Sequence, residues 1–173
     1  MSELSIKTDR SDAHDPRAIA NHILRLRADE GKPLTIMQLI KLVYIADGWS
    51  MALNGKPLSR DNAQAWKFGP VYPTVYAAFK HFGSSAVTDE ARSKATGLPY
   101  VGNISPEEDE LVKAVVKGYG KLTAWQLSNL THQPGTPWSD TFESGGVYAD
   151  IAPQLMASHF KQLGALHVAD ATG

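Results

Sequence analysis

The sequence predicts a mainly α, compact single domain of about six helices around a buried central helix, with a small two-stranded β element. An apolar stretch over residues 35–54 carries both a start and a stop signal for a helix. Several other segments repeat apolar residues at helical spacing, and only two short segments resemble strands. The 173 residues, 43% of them hydrophobic, suffice for one domain with a substantial core.

The central helix has the clearest sequence signals. Thr35 is placed to cap its N-terminus while Gln38 reaches back to the cap amide, which is a capping box. Gly55 supplies the left-handed residue that ends a helix, and Pro57 prevents the helix from resuming. Apolar side chains lie nearly all around the helix, which predicts burial. Gly48, inside it, costs about 1 kcal/mol relative to alanine and therefore indicates close approach of a neighbouring segment.

The chain before and after the domain is polar. Residues 1–14 carry both charge signs and few apolar side chains, which predicts a flexible leader. Asp15 and Pro16 then form a cap and a first helical position, so the domain is expected over residues 15–164. The residues from 165 to 173 are predicted to form a flexible tail.

The other elements follow from periodicity and capping signals. Helices are predicted over residues 73–83, 106–119, 122–130 and 153–163. The strand candidates are residues 63–67 and 98–101, which we expect to pair with each other. The segments 134–138 and 144–146 are predicted to be irregular or turns because they are rich in glycine, proline and serine.

Composition excludes several classes of function. A net charge of −1 and a pI near 6.6 provide no long-range field for a polyanion, so nucleic acid is disfavoured as a partner. The absence of cysteine excludes disulfides and thiolate chemistry and is compatible with a reducing cytoplasm. No signal peptide and no apolar run of about 18 residues occur, so we expect a soluble, cytoplasmic protein without membrane contact.

No catalytic or metal-binding pattern emerges. Ser128, His132 and Asp140 suggest a hydrolase, but no nucleophile elbow or oxyanion-hole context accompanies them, so we predict no catalytic residues. The six histidines lack metal-ligand spacing, and neither glycine-rich nucleotide fingerprint is present. We therefore expect no metal ion and no cofactor.

Aromatic residues provide the candidates for a partner contact. Trp49 and Trp125 lie on apolar helical faces, which predicts core positions. Trp66, Lys67 and Tyr72 flank a stiff turn rich in glycine and proline, and large side chains on such a turn are typical anchors of an interface. We therefore interpret these three as candidate partner-binding residues, and the alternative for Trp66 and Tyr72 is a structural role in packing.

Separately spaced motifs resemble the Panacea-domain antitoxin family, including its SocA-type branch. They are the Leu-Thr-x-x-Gln-Leu-x-Lys-Leu-x-Tyr pattern of residues 34–44, residues 55–58, the Ala-Trp-Lys-Phe-Gly-Pro-Val run of residues 65–71, residues 127–132 and the Pro-Trp pair 137–138. The resemblance covers roughly residues 18–160. Val43 stands where leucine is more usual.

The resemblance implies an antitoxin rather than an enzyme. Members of the family neutralise a toxin encoded beside them by direct protein contact, and the SocA-type branch acts as a proteolytic adaptor that hands its toxin to the ClpXP protease. The residues alone leave two other classes open. A hydrolase or nucleotide-binding enzyme would need a polar pocket with convergent titratable groups, and a nucleic-acid-binding autoregulator would need a basic face.

Overall fold

The computed structural model describes the backbone of residues 6–172 and the side chains of residues 6–165. The described part forms a mainly α single domain with a small antiparallel sheet, which confirms the predicted fold class. The helices are α1 (Pro16–Asp29), α2 (Ile36–Trp49), α3 (Pro73–Phe79), α4 (Pro106–Tyr119), α5 (Ala124–Thr131), α6 (Pro137–Gly145) and α7 (Pro153–Thr172). The strands are β1 (Gln64–Trp66), β2 (Gly69–Val71) and β3 (Ala149–Asp150). A π-helical turn, Ser50–Asn54, extends α2, and a 3₁₀ turn, Lys80–Phe82, follows α3.

The buried central helix of the prediction is α2. The Thr35 hydroxyl accepts a hydrogen bond from the Gln38 amide, and the Gln38 side chain accepts one from the Thr35 amide at 2.9 Å, so the capping box is present. Every residue from Leu39 to Trp49 is buried. The helix packs against α1, α3, α4, α5, α7 and β2. The core is therefore assembled around this one helix.

Gly48 lies where α7 crosses α2. A Cβ at this position would overlap the ring of Phe160 on α7, which confirms the close approach inferred from the sequence. The same ring lies edge-on to Tyr44 and Trp49, with centroid distances of 6.0 and 5.4 Å. Such aromatic pairs contribute about 0.5–1.5 kcal/mol beyond their buried area. The glycine therefore allows α7 to close the core.

Among the described residues, one stretch has the length and hydropathy of a membrane-spanning helix. This stretch, Ile36–Asn54, has a mean hydropathy of 1.2, and 72% of it is buried inside the domain. Because other parts of the protein bury this stretch, it has the environment of a core helix rather than that of a helix that faces lipid.

The sheet is antiparallel, with the strand order β2-β1-β3. β1 and β2 form a hairpin whose loop is Lys67-Phe68, because Trp66 pairs with Gly69. The prediction located β1, but its pairing with residues 98–101 is wrong, since those residues lie outside the sheet. Lys67-Phe68 reverses the chain, and Gly69, with a φ of +118°, allows β2 to begin directly after this turn, so the neighbouring segment becomes the partner.

A buried ion pair joins the start of the chain to α2. The Arg10 guanidinium lies 2.9 Å from the Asp47 carboxylate, and the two side chains are 8% and 0% exposed. The carboxylate also accepts hydrogen bonds from the Tyr72 hydroxyl (2.7 Å) and from the amides of Leu58 (2.9 Å) and Ser59 (3.0 Å). Asp47 thus has both the countercharge and the hydrogen bonds that a buried carboxylate requires.

The segment 6–14 lies against the domain. The prediction of a flexible leader over residues 1–14 does not hold for it, because Arg10 is the countercharge of a buried carboxylate and His14 contacts α4. Sequence composition indicated a polar segment correctly but could not show that one of its charges is buried. Residues 1–5 lie outside the described residues.

Two helices differ from the prediction. α6 forms where irregular structure was expected, because Thr136 accepts a backbone hydrogen bond at its start and Pro137 occupies its first position. α7 continues to Thr172, although we expected Gly164 to end it and residues 165–173 to form a flexible tail. Gly164 lies against the Trp49 ring inside this helix, where a Cβ would make an ordinary van der Waals contact at 3.5 Å.

Candidate functional site

Large aromatic side chains gather at the surface around the β1–β2 hairpin. Trp66 is half-buried, and its ring lies edge-on to those of Tyr76 (5.2 Å between centroids) and Tyr148 (5.4 Å). Tyr148 is 63% exposed, and Phe68, in the hairpin loop, is 64% exposed. We call Trp66, Phe68, Tyr76 and Tyr148 the aromatic surface. Exposed aromatic groups of this kind are typical of protein–protein contacts.

Tyr148 is held in an unfavourable backbone conformation. Its φ is +69°, and it is the one non-glycine residue with a positive φ in the described part of the chain. For a bulky residue this conformation costs about 1–3 kcal/mol and persists only where the surrounding structure enforces it. Here the Tyr148 amide donates a hydrogen bond to the Ala65 carbonyl on β1 (2.9 Å). The fold therefore maintains an exposed tyrosine at a conformational cost, which is a feature of functional sites.

Donors on three helices bind the carbonyl groups of alternate hairpin residues. These bonds join Trp138 Nε1 on α6 to the Trp66 oxygen (2.6 Å), Ser128 Oγ on α5 to the Phe68 oxygen (2.7 Å) and Lys41 Nζ on α2 to the Pro70 oxygen (2.9 Å). A two-stranded hairpin alone is only marginally stable in water, so these bonds and the pairing with β3 hold the loop in place. A surface that is rigid before binding loses little conformational entropy on association.

Lys41 lies beneath the hairpin and has no exposed surface. Burial lowers the pKa of its amine to about 7. A Cβ at Gly69 would lie 3.0 Å from Nζ, so the glycine makes room for the amine as well as for the turn. Because Nζ donates to a hairpin carbonyl and is closed off from solvent, Lys41 supports the hairpin rather than reacting with a ligand.

The structure separates the three partner-binding residues predicted from the sequence. Trp66 belongs to the aromatic surface, and Lys67 is exposed in the loop with Nζ 5.4 Å from the centroid of the Phe68 ring. Tyr72 is fully buried, and its hydroxyl donates to Asp47. The assignment of Tyr72 to a partner contact is wrong, because its side chain completes the buried ion pair. Burial raises the pKa of this hydroxyl well above its usual value.

Trp125 lies at the surface with 74% of its area exposed, so the prediction of a core position is wrong. The buried positions of α5 are Leu127 and Thr131. Residues two apart on an α-helix differ by about 200° in direction, so burial of Leu127 turns Trp125 outward. Ser128, three residues after Trp125 on the same helix, binds the Phe68 carbonyl in the hairpin loop.

The possible hydrolase residues have structural contacts. Ser128 Oγ donates to the Phe68 carbonyl and lies 3.4 Å from His132 Nδ1, and the His132 ring contacts the Ser128 carbonyl at the end of α5. The third candidate, Asp140, acts electrostatically on His159. Burial lowers the pKa of the His159 imidazole, and the Asp140 carboxylate opposes that shift. Within the described part of the chain, Asp140 forms no hydrogen bond to His132, so these groups are not arranged as a catalytic triad. No cluster of three metal-ligating side chains occurs among residues 6–165.

Sequence reasoning missed Phe68, Tyr76 and Tyr148. Phe68 follows Lys67 in a segment already interpreted as a stiff turn, so its position in the loop was enough to predict that its side chain is exposed. Tyr148 follows a glycine turn and reaches Trp66 only through the pairing of β3 with β1. No local signal in the sequence indicates that pairing.

Comparison with known proteins identifies the family of the chain. The family model for "Antitoxin SocA-like, Panacea domain" matches residues 39–139, which include most of α2, the hairpin and α5. Antitoxin SocA of Caulobacter vibrioides (strain NA1000 / CB15N) is 35% identical over 158 residues, covering 85% of this chain and 82% of that protein. No solved structure matches the chain. The chain therefore belongs to the SocA-like, Panacea-domain antitoxin family.

Proposed function

We propose that this chain is the antitoxin of a toxin–antitoxin pair and that it neutralises a cognate protein toxin by direct binding. Membership of the family supports the antitoxin role. The observation that carries the proposal of direct contact is the aromatic surface, in which Phe68 and Tyr148 are exposed beside the half-buried Trp66. Interfaces concentrate their binding free energy in a few side chains of this kind.

The hairpin loop also supplies a charge. Lys67 is exposed next to Phe68, so a carboxylate of the toxin could pair with its ammonium while the aromatic ring enters an apolar pocket. Hydrogen bonds from three helices hold the hairpin before the toxin arrives. These properties together favour a preformed contact over one that folds on binding.

Co-expression with the reading frame beside the gene tests the direct contact. The chain should restore growth and co-purify with the toxin, and Phe68→Ala or Tyr148→Ala should weaken both effects because each removes an exposed ring. Leu98→Ala is the matched control, since Leu98 is 66% exposed but lies in the loop between α3 and α4. Unchanged co-purification and growth for both aromatic variants would contradict the proposed contact.

The proposal extends to a cytoplasmic adaptor role, in which the chain delivers its bound toxin to the ClpXP protease. The resemblance to the SocA-type branch supports this role, and the cysteine-free sequence suits a reducing compartment. A flexible segment that contacts the protease could act as a tether, but residues 6–14 are a poor candidate for one, because Arg10 is buried. Within residues 6–165, the candidate for a protease contact is therefore the folded surface.

A reconstituted degradation reaction tests the adaptor role. Purified ClpXP should remove the toxin faster when this chain is present, and Tyr148→Ala should reduce that acceleration in proportion to its loss of toxin affinity. Leu98→Ala should behave as the unmodified chain does. Equal rates of toxin loss with and without the chain would refute delivery while leaving toxin binding intact.

A further inference from the structure

A second surface feature is a groove between the end of α2 and the outer face of α4. It has a volume of about 450 Å³, and its apolar lining includes Trp49, Leu111, Val115 and Tyr119. We call it the α2–α4 groove. α4 packs against α1 and α2, whereas the hairpin packs against α2, α5 and α6. The groove and the aromatic surface therefore belong to different sides of the central helix.

The π-helical turn Ser50–Asn54 forms one wall of the groove. It presents Leu53 with 67% of its area exposed. The side-chain amide nitrogen of Asn54 lies in the same wall, is shielded from solvent and has no acceptor among the described residues. An unpaired buried donor costs free energy until an acceptor reaches it. π-helical turns are rare and often occur at functional sites.

The acidic side chains at the start of α4 lie in two different environments. Glu108 is buried and Asp109 is partly exposed, and they contact histidine side chains at 3.0 and 2.7 Å; Asp109 also pairs with Lys113 at 2.8 Å. Glu107 and Glu110 are exposed and line the groove. Neither forms an ion pair in the described part of the chain, although the charges of Glu110 and Lys113 attract each other. Two carboxylates at the edge of an apolar groove are complementary to a cationic, amphipathic ligand.

We infer that the α2–α4 groove docks an amphipathic helix that carries lysine or arginine and belongs to a partner other than the toxin. The stretch from Glu107 to Tyr119 spans about 18 Å, which corresponds to about three helical turns of the occupant. Its apolar side chains would follow i, i+3, i+4 and i+7 spacing and cover Leu53. Its cations would lie near its C-terminus, where the helix dipole favours them, so it would run antiparallel to α4.

A synthetic peptide measures this recognition directly. The probe is a peptide of about 15 residues with leucines at i, i+3, i+4 and i+7 spacing and lysines near its C-terminus. Fluorescence anisotropy should show binding to the full chain, and the double charge reversal Glu107→Lys with Glu110→Lys should weaken it at least tenfold. A peptide with glutamates in place of the lysines should bind the reversed chain better than the unmodified one.

Two controls make the result specific. Asp29→Lys with Glu143→Lys changes the net charge by the same amount at exposed positions outside the groove, and peptide affinity should stay within about twofold. A peptide with the same composition but scrambled spacing should bind weakly, because its leucines no longer share one face. Equal losses in the two double variants, or equal binding of the scrambled peptide, would overturn the inference.

Toxin binding distinguishes this inference from the proposed function. The double reversal Glu107→Lys with Glu110→Lys should leave co-purification with the toxin unchanged, whereas Tyr148→Ala should weaken it and leave peptide affinity unchanged. Loss of toxin binding in the reversed chain would show that the toxin itself occupies the groove. A dimer in sedimentation that Leu53→Lys converts to a monomer would show that a second copy occupies it. Either result would overturn the assignment to another partner.

Discussion

Replacement of Arg10 should destabilise the domain far more than its position near the start of the chain suggests. Arg10→Met keeps an unbranched apolar stem but removes the guanidinium that lies 2.9 Å from Asp47. The carboxylate, with no exposed area, would retain the hydrogen bonds from the Tyr72 hydroxyl and from two backbone amides. It would have lost its countercharge.

The magnitude follows from this geometry. Removing one partner of a buried ion pair costs about 3–5 kcal/mol, because the remaining charge is desolvated and uncompensated. Arg10 also donates to the Ser59 carbonyl (2.7 Å) and to the Asn62 side chain (2.8 Å), and both bonds would be lost. We therefore expect a loss of about 3–5 kcal/mol, a large share of the roughly 5–15 kcal/mol that stabilises a typical domain. The double variant Arg10→Met with Asp47→Asn should cost less than the sum of its single changes.

Urea denaturation followed by circular dichroism measures these values. Lys7→Met is the matched control in the same segment, because its ion pair with Asp12 is exposed on both sides and should contribute at most about 1 kcal/mol. A free energy of unfolding for Arg10→Met within about 1 kcal/mol of the control would refute the burial of this ion pair. It would also restore the interpretation of residues 6–14 as a flexible leader.

Three further predictions concern α2 and its neighbours. Thr35→Ala should lower the free energy of unfolding by about 1 kcal/mol through loss of the capping box, and an unchanged urea midpoint would contradict the helix start. Gly48→Ala should cost about 1–3 kcal/mol because its methyl group overlaps the Phe160 ring, and a neutral result would show that α7 does not cross there. Burial lowers the pKa of Lys41 to about 7, so the unfolded chain binds more protons between about pH 7 and 10.5, and the free energy of unfolding should rise with pH over that window, by at most about 5 kcal/mol. Lys41→Met should remove this contribution, and equal pH slopes in denaturation of both proteins would contradict it.

Signals confined to a few neighbouring residues were sufficient to predict most of the helices and the centre of the core, but not α6 or the end of α7. The capping box of Thr35 and Gln38 lies within one helical turn, so its geometry follows from spacing alone. Gly48 in an otherwise apolar helix indicated close packing, although not that Phe160 is the neighbour. The Lys67-Phe68 turn was also recognisable as stiff, because Gly69 and Pro70 follow it directly.

The features that were missed depend on contacts between distant segments. Whether Tyr72 faces a partner or the interior depends on Asp47, which lies on α2 and needs donors for its buried charge. Trp125 has an apolar neighbourhood in sequence, but the orientation of its short helix follows from the burial of Leu127. Tyr148 joins the candidate site only through the pairing of β3 with β1. Charge satisfaction and strand pairing are properties of the whole fold.

The central claim is that the aromatic surface binds the toxin. Isothermal titration of the purified toxin into the chain tests it most directly, with Phe68→Ala, Tyr148→Ala and the control Leu98→Ala measured beside the unmodified protein. Truncation of an interface anchor costs about 2 kcal/mol or more, so each aromatic variant should lose at least about 30-fold in affinity. Phe68→Ala should keep its melting temperature, and Tyr148→Ala should lower it by about 2–4 °C because its ring also packs against Trp66. The control should bind as the unmodified chain does. Affinities of both aromatic variants equal to that of the control would contradict the claim.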